Sequence, residues 1–237
     1  MQETLSDFSE NHISNMERYD IINSIIEKKG YKTYLEIGVR NPWECFDRIN
    51  CEIKHSVDPG LETNGGENLA TYHFTSDNFF SALKSGKIDL PIDFKWDVIF
   101  IDGLHISDQV YRDFLNSTLH LSDQGVIVFH DANPPLCYYA REDYHDLSTP
   151  VGGYWNGTVW KAIQKIRTNP IGLDGKEFSL ITVDSDWGVG ICWRGTGVTL
   201  VSPDFNPFYE YNSFAKHRKE ILNLLSVQEF QEWVQKF

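Results

Sequence analysis

The chain has 237 residues, 41% hydrophobic, 14% aromatic and 23% charged, with 21 Lys and Arg against 34 Asp and Glu for a formal net charge of -13. A chain this long buries enough apolar surface to need neither disulfides nor a structural metal. The acidic balance disfavours a nucleic-acid binder and docking on an anionic membrane, both of which call for clustered Lys and Arg.

Cys45, Cys51, Cys137 and Cys192 form no CxxC pair and no finger spacing, and read as thiols of a reducing compartment. The N-terminal residues carry Glu3 and Asp7 without an apolar segment, which predicts no secretory leader. No run reaches the ~20 apolar residues of a membrane-spanning helix. A cytoplasmic protein without membrane insertion is expected.

Periodicity predicts a first helix over residues 16–29, with Ile21, Ile22, Ile25 and Ile26 on one face and Gly30 at its end. A strand over 33–37, a short helix around 43–49, a strand over 53–57 and a glycine-bearing loop over 59–66 follow. A third strand is expected over 71–74, then a helix that includes Phe79, Phe80 and Leu83. Residues 96–101 are apolar at consecutive positions, as in a strand covered on both faces. A helix over 107–121 and a strand over 126–129 come next, then a long aromatic and proline-rich stretch over 132–154. A helix over 157–167 precedes strands over 178–183 and 188–193. The remainder is helical, and Ser226-Val227-Gln228-Glu229 reads as a capping box. The alternation predicts one α/β domain, residues 1–237, with a helical extension over 1–31, a seven-stranded, largely parallel core and C-terminal helices over 207–237.

Ligands of open α/β sheets bind outside the carboxyl ends of the strands. The predicted strands end in Glu36-Ile37-Gly38-Val39-Arg40-Asn41, Asp58-Pro59, Ser76-Asp77, Asp102-Gly103-Leu104-His105 and His130-Asp131-Ala132-Asn133. Each parallel strand therefore brings an acid to the same edge. Gly38 stands alone, followed by Val39, Arg40, Asn41 and Pro42, so the first turn lacks the glycines that let backbone approach a pyrophosphate. S-adenosylmethionine has no phosphate, and its ammonium and sulfonium make Glu36 a favourable neighbour. Asp58 follows at the distance from which a carboxylate holds ribose hydroxyls, and Asp77 is placed to accept from an adenine amino group. The expected cofactor-binding residues are Glu36, Gly38, Val39, Arg40, Asp58, Ser76, Asp77 and Asp102.

Five segments carry a family resemblance: Leu35-Glu36-Ile37-Gly38-Val39, Val57-Asp58-Pro59, Ile101-Asp102-Gly103-Leu104-His105, Phe129-His130-Asp131 and Trp155-Asn156-Gly157-Thr158-Val159-Trp160-Lys161. Over residues 34–190 the chain resembles class I S-adenosylmethionine-dependent methyltransferases, in particular the bacterial macrolide-sugar and surface-polysaccharide O-methyltransferases. The resemblance implies a Rossmann-like sheet with helices on both faces and its last strand antiparallel. It also implies a metal-assisted O-methylation of a sugar or polysaccharide precursor. By position, Asp102, His130 and Asp131 would lie near Mg2+ or Mn2+, His105 would be the general base, and Asp102, His105 and Asp131 would form the catalytic set. His130 departs from the oxygen ligands that Mg2+ prefers, which brings Mn2+ forward, with Asn133 as a substitute oxygen.

Loops beyond ~12–15 residues are usually functional or disordered, and disordered segments are poor in aromatics. Residues 132–154 are therefore expected to form an ordered acceptor lid, with Arg141 facing an acidic group of a small-molecule or glycan acceptor and Gly152-Gly153 as a hinge. The Phe230, Trp233, Val234 and Phe237 stripe reads as packing or a homodimer contact. Two alternatives stay open at this level: an N- or phosphoramidate-directed methyltransferase, and a non-catalytic, cofactor-binding subunit of glycan assembly. A nicotinamide oxidoreductase is disfavoured by the missing second glycine.

Overall fold

The computed structural model describes residues 16–63, 66–197 and 201–237. Residues 1–15 of the expected N-terminal extension, and 64 and 65 of the glycine loop, lie outside the described residues. The first half of the chain forms α1 (Arg18–Lys29), β1 (Thr33–Ile37), two 3-10 turns (Pro42–Glu44 and Phe46–Arg48), β2 (Ile53–Val57), α2 (Ser76–Lys84), β3 (Trp96–Ile101) and α3 (Ser107–His120). The second half forms β4 (Leu121–Phe129), α4 (Val159–Thr168), β5 (Phe178–Val183), β6 (Val189–Arg194), α5 (Tyr211–Leu222), β7 (Leu224–Leu225) and α6 (Val227–Lys236).

The strands make one seven-stranded sheet in the order β2-β1-β3-β4-β6-β5-β7. Neighbours run parallel except at β6, which lies between β4 and β5 and is antiparallel to both. This is the expected Rossmann-like arrangement, with residues 189–194 as the reversed strand. Alternate side chains go to opposite faces. Leu35, Ile37, Ile99, Ile101, Ile127 and Phe129 pack with α2, α3, α4 and α5. Tyr34, Val98, Phe100, Val126 and Val128 pack with α1 and α6. The four isoleucines of α1 are buried, each contributing about 1.5–3 kcal/mol over an exposed position. Ser226 and Glu229 form the capping box that opens α6, whose Phe230 and Val234 are buried in the core.

Three local expectations differ from the structure. Residues 71–74 form only a single bridge, Tyr72 to Val57. There the Ser56 and Thr71 hydroxyls take the hydrogen bonds of the backbone ladder, with Thr71 N donating to Ser56 Oγ at 3.0 Å and Ser56 N to Thr71 Oγ1 at 3.1 Å. The seventh strand is instead β7, two residues between α5 and α6 that pair with β5. The expected helix around 43–49 is split into two 3-10 turns at Cys45, whose φ of -142° and ψ of -59° lie outside the helical region. Among the described residues no helix is long and apolar enough to cross a membrane.

Candidate active site

Register places the strand tips side by side. Ile37 lies next to Val57 and Ile101, and Ile101 next to Phe129. The residues that follow, Gly38, Asp58, Asp102 and His130, therefore share one edge, at the point where the chain leaves β1 for opposite sides of the sheet. Gly38 has a φ of +95°, and a Cβ built on it would stand 2.3 Å from the Asp102 backbone oxygen. No other residue fits there without moving Asp102. A cavity of about 450 Å3 opens over this edge, and Glu36, Gly38, Val39, Arg40, Asp58, Ser76 and Asp102 all line it.

Glu36 is 3% exposed and accepts a 2.6 Å hydrogen bond from Tyr34 Oη. Burial pushes its carboxyl up to about 8, against the opposing effect of the Tyr34 bond. At pH 7 most copies of the cofactor-free protein thus hold a proton that an unfolded chain, with a value near 4.5, has released. This carboxyl consequently lowers fold stability as pH rises from about 4.5 to 8. A ligand ammonium reverses the preference. Binding of S-adenosylhomocysteine is expected to release close to one proton per site at pH 7 and none at pH 9, and Glu36→Gln to abolish the release. Calorimetry in two buffers of different ionisation enthalpy measures it; identical heats at pH 7 would rule it out.

Asp58 also lines the cavity, its carboxyl raised by burial and its Oδ1 accepting from Gly60 N at 2.7 Å. Arg40 is half-exposed at the rim and pairs with Glu44 and Glu62 at 3.6 and 3.4 Å. Asp77 does not join this set: it faces outward in the first turn of α2 and pairs with Arg112 at 3.5 Å. The cavity wall beside Ser76 is completed by Gln109 and Asp113 of α3. Gln109 Nε2 donates at 3.0 Å to both Ser76 Oγ and Asp113 Oδ1, and burial lifts the Asp113 carboxyl to about 6.

At the other end of the cavity stand two histidines among three carboxylates. His105 Nε2 lies 3.5 Å from Asp102 Oδ1 and its Nδ1 3.3 Å from Asp131 Oδ2. His130 Nδ1 lies 3.2 Å from Asp102 and 3.1 Å from Asp131, while its Nε2 faces Asp186 Oδ1 at 3.3 Å. Burial opposes charge on both imidazoles, but the adjacent carboxylates outweigh it and raise both above the ordinary histidine range. Conversely, Asp102 and Asp186 are held well below the ordinary carboxylate range: burial opposes this, and His130, His105 and Arg18 overcome it. Asp131 itself sits in the left-handed region, φ +58°, a conformation that costs on the order of 1–3 kcal/mol. Asn156 Nδ2 donates to its Oδ1 at 2.8 Å.

A divalent cation, implied by the resemblance, finds a partial fit. Asp102, His105 and Asp131 each offer one ligand atom, all within 4.8 Å of one another. His130, expected among the ligands, lies outside this set: its Nδ1 faces Asp102 and Asp131 and its Nε2 faces Asp186. Asn133 is likewise directed elsewhere, its amide to Asp184 at 2.8 Å and its oxygen to Arg218.

Residues 132–154 contain neither helix nor strand. Tyr144 and Gly153 line the cavity, as does the adjoining Trp155, which stacks on His105 at 5.0 Å between ring centroids. Arg141 does not face the cavity. Its guanidinium donates to the carbonyls of Tyr138, Gly152 and Tyr154 at 2.8–2.9 Å, and so ties the loop to itself. Two residues of the cluster have no strand-end signal in the sequence. Asp186 comes from the turn between β5 and β6, and Arg18 from the start of α1, with its Nε 3.7 Å from Asp102 Oδ2 and its Nη1 3.1 Å from Asp186.

None of the curated proteins compared with the chain matches it. Among solved structures, the chain is similar to one assigned as a caffeoyl-CoA O-methyltransferase from Staphylococcus aureus, with 18% identity, 81% of this chain and 90% of that one covered, and a TM-score of 0.46. It is also similar to an O-methyltransferase from Bacillus cereus in complex with S-adenosylhomocysteine, with 10% identity, 80% and 87% covered, and a TM-score of 0.45. A third similar structure is the mycinamycin-pathway methyltransferase MycE in complex with Mg, S-adenosylhomocysteine and mycinamycin VI, with 12% identity, 82% and 55% covered, and a TM-score of 0.45. Residues 35–132 match a family model described as a methyltransferase domain. The sheet order, the acid-lined edge and this match together support an S-adenosylmethionine-dependent methyltransferase.

Proposed function

We propose that the protein transfers the methyl group of S-adenosylmethionine to a hydroxyl of a sugar or polysaccharide precursor. The observation that carries this reading is His105, an imidazole between Asp102 and Asp131 at the cavity wall, with Trp155 stacked on its face. The acceptor oxygen attacks the methyl carbon, the carbon–sulfur bond breaks with its electron pair left on sulfur, and the hydroxyl proton passes to His105. Alignment of oxygen, carbon and sulfur can itself supply ~7–11 kcal/mol of the barrier. Glu36 and Asp58 hold the two ends of the cofactor, its ammonium and its ribose.

Asp102 and Asp131 are the carboxylates that would hold a divalent cation beside His105, which when bound would lower the pKa of the acceptor hydroxyl. Tyr144 and Trp155 offer aromatic faces suited to the apolar side of a sugar ring, and residues 132–154 serve as the acceptor lid.

Methyl transfer from labelled S-adenosylmethionine to a panel of free and nucleotide-linked sugars tests the reading. The expected product is a methyl ether, with turnover depressed by chelator and restored by Mg2+ or Mn2+. Label recovered only on amine acceptors would overturn the oxygen assignment. Turnover indifferent to chelation would remove the cation and leave proton removal to His105.

A further inference from the structure

The methionyl part of the cofactor ends in an ammonium and a carboxylate. Glu36 answers the first. The second needs a cation, and among the described residues that line the cavity the arginines are Arg18 and Arg40. Arg40 is exposed at the rim, where solvent screens its charge, whereas Arg18 is largely buried. Arg18 is different. Its backbone N and its Nη1 both bond Asp186, at 2.8 and 3.1 Å, so the side chain is fixed at both ends. Its Nε is buried and has no hydrogen-bond partner among the described residues; Asp102 Oδ2, with which it forms an ion pair, is 3.7 Å away, too far to accept. Nε belongs to the edge of the guanidinium that meets a carboxylate in a two-pronged contact. A buried donor without an acceptor is costly to keep, and a ligand oxygen relieves that cost.

We propose that Arg18 binds the carboxylate of the cofactor's methionyl group, which makes α1 part of the cofactor site. This rests on the S-adenosylmethionine reading above and adds to it the residue that recognises the amino-acid end. Because β1 presents Glu36 on the same face that α1 covers, the two side chains meet the two charges of one amino acid from adjoining elements.

The test compares S-adenosylhomocysteine with its decarboxylated analogue, S-adenosyl-3-thiopropylamine, by titration calorimetry on the full chain. The wild type is expected to bind S-adenosylhomocysteine roughly tenfold or more tightly than the analogue. Arg18→Ala is expected to erase that ratio by weakening the first ligand while leaving the second nearly unchanged, and Arg18→Lys to retain part of it. Where Arg18→Ala lacks a native thermal transition, Arg18→Gln, which keeps a donor toward Asp186 without the charge, carries the same comparison. A wild type that does not distinguish the two ligands, or a neutral variant that keeps the wild-type ratio, overturns the assignment of Arg18. A wild type that binds neither ligand instead overturns the cofactor reading, so the two failures are told apart.

Discussion

Replacing His105 by alanine is expected to lower kcat by roughly 10²–10⁴-fold, the usual worth of a positioned general base. The affinity for S-adenosylhomocysteine should meanwhile change less than about threefold, since the proposed function puts the imidazole at the acceptor and not at the cofactor. The split between the two readouts identifies the role. His105 is held by carboxylates on two sides and by the Trp155 ring on its face, so its removal leaves Asp102 and Asp131 anchored by His130 and Asn156. His105→Asn, which keeps polarity without a basic nitrogen, should be as inactive as the alanine variant. Binding of S-adenosylhomocysteine lost in parallel with turnover would move His105 out of the proton step and into cofactor binding.

Gly38→Ala is expected to damage both the fold and the site. A φ of +95° is unfavourable for alanine, and the added methyl would meet the Asp102 oxygen at 2.3 Å and the Gly103 backbone at 2.4–2.5 Å. Both neighbours are backbone at a parallel junction where Asp102 N donates to Ile37 O at 2.8 Å, so neither can yield cheaply. The combined strain and overpacking should cost about 2–4 kcal/mol, and lower the Tm by roughly 5–15 °C. Because relief requires β1 and β3 to part at their tips, S-adenosylhomocysteine affinity should fall by at least about tenfold. Thermal denaturation with and without the ligand measures both effects, and an alanine variant with unchanged Tm and affinity would contradict the crowding.

The sheet edge was legible because a parallel strand announces itself twice, by a continuous apolar run and by the polar residue that follows it. Glu36, Asp58, Asp102 and Asp131 were found that way, and all four line one cavity. Asp77 obeys the same pattern and still points away, since a helix begins at Ser76 and turns the next side chain toward solvent. Its place beside Ser76 is taken by Gln109 and Asp113, which come from the first two turns of α3 and carry no strand-end signature. Arg18 and Asp186 were invisible for a related reason. Each is an ordinary polar residue at the margin of an element, and they meet only because α1 packs over the face of β1 that presents Glu36. The segment over 71–74 had strand composition, but its hydrogen bonds are shared with hydroxyls, a choice that residue type alone does not reveal. His130 follows from its position after β4, but its surroundings, three carboxylates and a guanidinium, come from four separate elements and leave no mark in the local sequence.

The junction between residues 139 and 158 carries a further implication. Thr158 N donates to the His105 carbonyl at 2.8 Å, Thr158 Oγ1 accepts from Ser107 N at 2.8 Å, and a Cβ on Gly157 would collide with that same carbonyl at 2.1 Å. Asn156 and Gly157 in turn donate to Tyr139 O at 3.0 and 3.1 Å. His105 is therefore clamped to the strip of chain that borders the cavity, and any rearrangement of that strip drags the imidazole with it. Under the function proposed above, selection for a new acceptor cannot reshape this border freely without also detuning proton removal, so variation in specificity should concentrate at the tip around Tyr144 and spare the stem.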